Sequence, residues 1–218
     1  MAEKGKENFK FCLFWTTNYY ESSQYMGMDA VFVHLIDNYY AKGKAYWVDS
    51  LLIWKMKDRV EKLRHNLIGA KVKNLTMLDT NGQYHSLYNM DSKYTLVIFW
   101  SATCGHCKEE MPRVDSFYTK NWKQLGVQVI GVNTNVKELA TWEQFITDQH
   151  LNAGWLHTYQ TEAALNAEVN AGKATTIRQL YDVFKTPTFY LLDKDKKIIA
   201  KNLTVDQFHD FLQAQQKK

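Results

Sequence analysis

The stretch Thr95-Leu-Val-Ile-Phe-Trp100-Ser-Ala-Thr-Cys104-Gly-His106-Cys107-Lys-Glu-Glu110-Met-Pro112 decides how this chain is read. Leu96 to Trp100 is a continuous apolar run of the length expected for a buried strand. Beyond the cysteines, Met111, Val114, Phe117 with Tyr118, and Trp122 recur at helical spacing. A Cys-x-x-Cys between a buried strand and a helix points to thiol–disulfide chemistry. Cysteines three apart at a helix start can close a disulfide. Cys104, the first, lies at the positive end of the helix dipole, which lowers its pKa and favours the nucleophilic thiolate.

Other chemistries fit this stretch less well. A zinc site needs four ligands. The only other cysteine is Cys12, and no His pair stands at ligand spacing, so no metal is expected. A purely structural crosslink across so short a loop does little for stability. No Gly-rich dinucleotide fingerprint follows a strand, so neither nicotinamide nor flavin is implied. The redox group expected is the Cys104–Cys107 pair itself.

The chain has 218 residues, which suits one large or two small domains. Its net charge of +4 is spread among mixed charges without a basic stripe, so nucleic acid is not an expected partner. No run of about 18 apolar residues is present, so no membrane span is expected. Three cysteines, two of them in one motif, do not make a disulfide-built scaffold. The first ten residues are charged, and Phe11 to Trp15 is too short for the apolar core of a signal peptide. The reading is therefore a cytoplasmic protein, or a chain whose export or membrane-tethering segment lies elsewhere.

Two regions emerge along the chain. Residues 1–68 read as a helical segment, and 69–218 as an α/β domain. Phe9 to Tyr20 is aromatic-rich and ambiguous. Met28, Val31, Phe32, Leu35, Ile36, Tyr39 and Tyr40 mark one helix face, stopped at Gly43. A second helix, capped by Asp49 or Ser50, carries Leu52, Met56, Val60, Leu63 and Leu67 and ends at Gly69. Cys12 is expected to be buried as a small apolar residue. Asn74 to Asp79 and Gln83 to Tyr88 flank Asn81-Gly82, the signal of a two-residue hairpin turn with both positions at positive φ. Val127 to Val132 reads as a strand, followed by a helix through Leu139 and Phe145. Trp155 to Tyr159 is a short strand. Ala163 to Gln179 is helix-prone, and the helical pattern continues through Ile177, Leu180, Val183 and Phe184. Strands at Phe189 to Leu192 and Ile198 to Ala200 and a terminal helix through Val205, Phe208 and Leu212 complete the pattern. Alternating strands and helices predict an α/β sheet.

With these residues in view, 70–215 resembles the TlpA/ResA-like branch of thioredoxin-like, cell-envelope thiol–disulfide oxidoreductases. The resemblance rests on Phe99-Trp100, Cys104-Gly-His-Cys107, Glu110, Pro112 and Thr186-Pro187-Thr188. Met26-Gly-Met-Asp-Ala30 looks like the helical segment that precedes such modules in Bacteroidetes-type envelope proteins. The resemblance implies a thioredoxin-like fold with an N-terminal β-hairpin, a cis Pro187 facing the cysteines, and a periplasmic or envelope location. It implies protein thiols as substrates and another redox protein as partner.

Cys104 is then the attacking thiolate and Cys107 the resolving cysteine. His106, between them, is expected to favour the Cys104 thiolate through its imidazole. Glu110, one turn past Cys107, matches the family's active-site glutamate, to which management of the resolving thiol's proton is assigned. Ile98 stands where thioredoxin carries a buried aspartate. Phe99 and Trp100 read as core, with Trp100 reaching the active-site rim. Trp100, Gly105, Thr186 and Pro187 are the expected substrate contacts. A peroxiredoxin-like peroxidase is the competing enzyme reading, but Val97 and Ser101 replace the Pro and Thr of its Pro-x-x-x-Thr-x-x-Cys motif. A binding or assembly protein with an incidental disulfide is the non-catalytic alternative.

Overall fold

The apolar run before the cysteines forms strand β3 (Tyr94–Trp100), buried along its whole length. Side chains alternate across a strand, and both faces of β3 are covered. Leu96, Ile98 and Trp100 pack beneath Met111, Val114, Trp122, Phe208 and Leu212. Val97 and Phe99 enter a second core with Val72, Leu87, Ile130, Tyr181 and Tyr190.

This computed structural model describes residues 2–23, 25–151, 154–161 and 176–217. The other strands are β1 (Thr76–Asp79), β2 (Tyr84–Ser86), β4 (Val127–Asn133), β5 (Leu156–Tyr159), β6 (Thr188–Asp193) and β7 (Ile198–Lys201). They form one mixed sheet in the order β2-β1-β5-β4-β3-β6-β7. β3 runs parallel to β4 and antiparallel to β6, and β4 runs parallel to β5. The helices are α1 (Ala2–Glu21), α2 (Asp29–Leu35), α3 (Ser50–Arg64), α4 (Gly105–Phe117), α5 (Leu139–Asp148), α6 (Ile177–Leu180) and α7 (Val205–Gln215). The thioredoxin-like α/β expectation holds, hairpin and helical segment included.

The helical segment packs Leu13, Phe32, Val33, Ile36, Tyr40, Val60 and Leu63 together. The ambiguous aromatic stretch belongs to α1. Phe11, Phe14, Trp15 and Tyr19 are exposed there, which blurs its apolar period. The expectation for Cys12 is wrong: it is exposed. The inward face of α1 is set by Leu13 and Thr17, four apart, and Cys12 lies one residue off it. α2 continues as a π-turn over Ile36–Tyr40. Asp49 caps α3 by accepting from the Leu51 and Leu52 N–H groups. That helix ends at Arg64, short of Gly69, and Leu52 is exposed.

Two further readings need correction. The hairpin loop has three residues, not two. Asp79 N–H donates to the Gln83 carbonyl at 2.9 Å, and the Gly82 N–H closes the turn on the Asp79 carbonyl at 3.1 Å. Gly82 alone has a positive φ, +80°. This is the type I turn followed by a left-handed residue that three-residue hairpins use. The Asp79 carboxylate locks it by accepting from the Asn81 and Gln83 N–H groups. Second, α6 stops before Val183. Asp182 takes φ +51°, and the Val183 N–H returns to the Arg178 carbonyl at 2.7 Å, a helix-ending loop-back. Phe184 is thereby turned out of the helix. Of the expected helix over Ala163 to Gln179, residues 163–175 lie outside the described residues.

The segment joining the two regions pairs antiparallel with the start of β7 and the turn before it. Gly69 N–H donates to the Ile198 carbonyl at 2.8 Å, and Ile198 N–H to Ala70 at 3.0 Å. Lys201 on β7 is buried, and its ammonium donates to Asp29 of α2 and to the Asn66 carbonyl.

Gly131 on β4 sits under the Trp100 indole. A Cβ built there would lie 2.9 Å from Trp100 Nε1, and Trp100 is wedged against Trp142 and Phe145. Gly131→Ala is expected to destabilise the fold by about 1–3 kcal/mol, the usual cost of overpacking. Urea unfolding measures this, and an unchanged midpoint would count against the packing described.

Candidate active site

Cys104 is the N-cap residue of α4, with extended backbone (φ −83°, ψ 119°), and Gly105 opens the helix. The first N–H groups of a helix have no partner within it, so Cys104 Sγ lies beside free donors. Cys107, one turn in, faces the core and is fully buried among Ile98, Trp100 and Met111. Both cysteines are free thiols.

The second half of the site comes from far along the chain. The Thr186–Pro187 peptide is cis and leads into β6, the antiparallel neighbour of β3. This places the loop across from Cys104, whose thiol donates to the Thr186 carbonyl at 3.3 Å.

The two thiols have opposite electrostatics. Burial disfavours the Cys104 thiolate. The Thr186 side chain, the Cys107 and His106 main-chain N–H groups and the Cys107 thiol outweigh it and bring Cys104 below an ordinary thiol. Burial pushes Cys107 up to about 12, and the hydrogen bond and charge of Cys104 push the same way. One proton is therefore kept on Cys107 while Cys104 is free to react.

The remaining expected residues fall as follows. Gly105 is exposed, and nothing lies within 4 Å of where its Cβ would be, so the approach to Cys104 is open. Thr186 and Pro187 line a cleft of about 280 Å³ with His106, Glu110 and Arg113. The His106 main-chain N–H supports Cys104. Its ring Nδ1 stands 3.8 Å from Glu109 Oε2. Glu110 accepts from Arg113 Nη1 at 2.6 Å, and Arg113 Nη2 reaches Asp206 on α7 at 2.6 Å. Trp100 does not reach the rim. It is wholly buried, because its face of β3 lies beneath α4 and α5, so it cannot contact substrate.

Arg113 and Asp206 were missed. The Glu110–Arg113 pair was available from its i,i+3 spacing, whereas Asp206 is brought in only by the packing of α7. Asn202, which borders the cleft at φ +55°, carried no signal.

A thiolate-favouring cysteine at a helix start, a buried partner one turn on and a facing cis-proline loop on this sheet define a thioredoxin-like thiol–disulfide oxidoreductase. The chain belongs to the AhpC/TSA family, whose pattern matches residues 68–201. It is 28% identical over 149 residues to the thiol-disulfide oxidoreductase ResA of Bacillus cereus, covering 67% of this chain and 77% of that protein. Among solved structures, a domain of a possible thiol-disulfide isomerase from Cytophaga hutchinsonii is 36% identical, with TM-score 0.57 over 69% of this chain and 94% of that one. A thioredoxin-like protein from Bacteroides caccae shares the fold at TM-score 0.66 and 23% identity, over 84% of this chain and 61% of that one.

The thiol asymmetry is directly measurable. In a Cys12→Ser background, iodoacetamide at pH 7 is expected to label Cys104 and leave Cys107 untouched. The labelling rate should rise with pH and reach half its plateau at a lower pH than that of an ordinary free thiol. Equal labelling of both cysteines would contradict the geometry.

Proposed function

We propose that this chain exchanges disulfides with protein thiols through Cys104 and Cys107. The observation that carries this reading is the opposed state of the two thiols at the α4 N-terminus, facing Thr186 and Pro187. The Cys104 thiolate attacks one sulfur of a client disulfide. The client S–S bond breaks, its second sulfur leaves as a thiolate that takes up a proton, and Cys104 is joined to the client. Cys107 then loses its proton and attacks Cys104. The Cys104–Cys107 bond forms, the client's first sulfur is released, and two electrons have passed to the client. The reverse sequence oxidises a client dithiol. Glu110, one turn past Cys107 and held by Arg113, is assigned the Cys107 proton.

The pair returns to its starting state by exchange with a second redox protein. The reading places the chain in the periplasm or cell envelope, where clients carry disulfides. Among the described residues, no helix is long and apolar enough to cross a membrane.

Cys107→Ser is expected to trap mixed disulfides between Cys104 and clients, seen as reductant-sensitive adducts, while Cys104→Ser traps none. Titrated against glutathione and dithiothreitol, the wild-type pair should cycle at a potential between roughly −270 and −120 mV. A pair that stays locked across that window, with no trapped adduct, would sink the reading.

A further inference from the structure

The redox chemistry uses only one end of a longer groove. The cleft beside His106 and Pro187 continues past Lys185, Thr188 and Asn202, which line both parts, into a second cleft of about 370 Å³. The far wall of that second cleft comes from the helical segment: Glu21 at the end of α1, Ser22 and Ser23 after it, and Arg59 on α3. Phe184, 72% exposed and two residues before the cis peptide, also lines it, against Arg59.

Arg59 is held in place on this wall. Its Nη1 donates to Glu21 Oε1 at 2.7 Å and its Nη2 to the Glu21 carbonyl at 3.3 Å. The guanidinium lies 5.5 Å from the buried Phe32 ring and 5.2 Å from the exposed Phe184 ring. Core packing does not account for Phe184, since Tyr181 and Val183 beside it are the buried ones. A large ring left in water against a fixed guanidinium joins two side-chain types that dominate recognition surfaces. The second cleft carries Arg59 and Lys185 against Glu21 and Asp182, so it has no charge excess to select a small ion.

We propose that the helical segment forms the distal half of a client-binding groove, in which Phe184 and Arg59 favour an extended polypeptide over a small disulfide. This rests on the exchange reading above. A polypeptide joined to Cys104 advances about 3.3 Å per residue, so its flanking residues run along the cis-proline loop and set an apolar side chain on Phe184. A small disulfide occupies the cysteine end alone.

The test compares wild type, Phe184→Ser and Arg59→Gln in exchange with insulin and with glutathione. The direction used is the one the pair's potential favours: the dithiol form with the disulfides, or the disulfide form with the reduced thiols. Rates are read by alkylation quench. Phe184→Ser is expected to lower the insulin rate constant about fivefold to tenfold, the size of one lost contact side chain, and to leave the glutathione rate unchanged. Arg59→Gln should do the same. Phe184 is exposed, so its variant carries the test if Arg59→Gln does not fold. Wild-type insulin rates in Phe184→Ser overturn the groove and leave the exchange reading standing. Equal losses with both probes overturn it as well, because the damage then lies at the cysteines. A wild-type chain that exchanges with neither probe in either direction overturns the exchange reading, and this proposal with it.

Discussion

Two identical side chains three residues apart must be given opposite surroundings, and much of the fold answers that demand. Cys104 needs water and unpaired N–H donors, whereas Cys107 needs neither. A helix start provides both: its first residue faces outward beside free donors, and the residue one turn on faces the core. The helix can bury Cys107 only because β3 below it is apolar, with Ile98 and Trp100 supplying that floor. With an isoleucine where thioredoxin carries an aspartate, the floor lacks a carboxylate under Cys107. Glu110, one turn past Cys107, sits instead at the cleft, bound to Arg113.

The helical segment is tied to the sheet by a costly device. A buried ammonium is tolerated only when paired and hydrogen-bonded. Lys201 meets that condition with one partner on α2 and one after α3, both in the segment. Asn66 adds a bond from its side-chain amide to the Leu180 carbonyl at 2.8 Å. Segment and redox domain thus share polar contacts that neither could satisfy alone.

The central fold was legible because its signals are local. The run Leu96 to Trp100, the Cys-x-x-Cys and the helical spacing after it depend on neighbours in sequence. The two prolines, read through the family resemblance, located both halves of the site. What was not legible depended on distant packing. Trp100 is covered by α4 and α5, which no reading of β3 alone reveals. Cys12 was misplaced because α1 exposes so many aromatic residues that its buried face has no clear period. The hairpin loop was misread because Asn-Gly is compatible with two turn types, and the Asp79 carboxylate selects the longer one.

The pairing of Gly69 to Val72 with Lys196 to Ile198, at the start of β7, has a consequence for strand addition. An open sheet edge is a template on which a foreign strand can add. Here the start of one edge is already taken by the chain's own linker, through the bonds between Ile198 and residues 69 and 70. The opposite edge, β2, is three residues long. The sheet therefore offers a foreign strand only a short β2 and the part of β7 beyond Ile198.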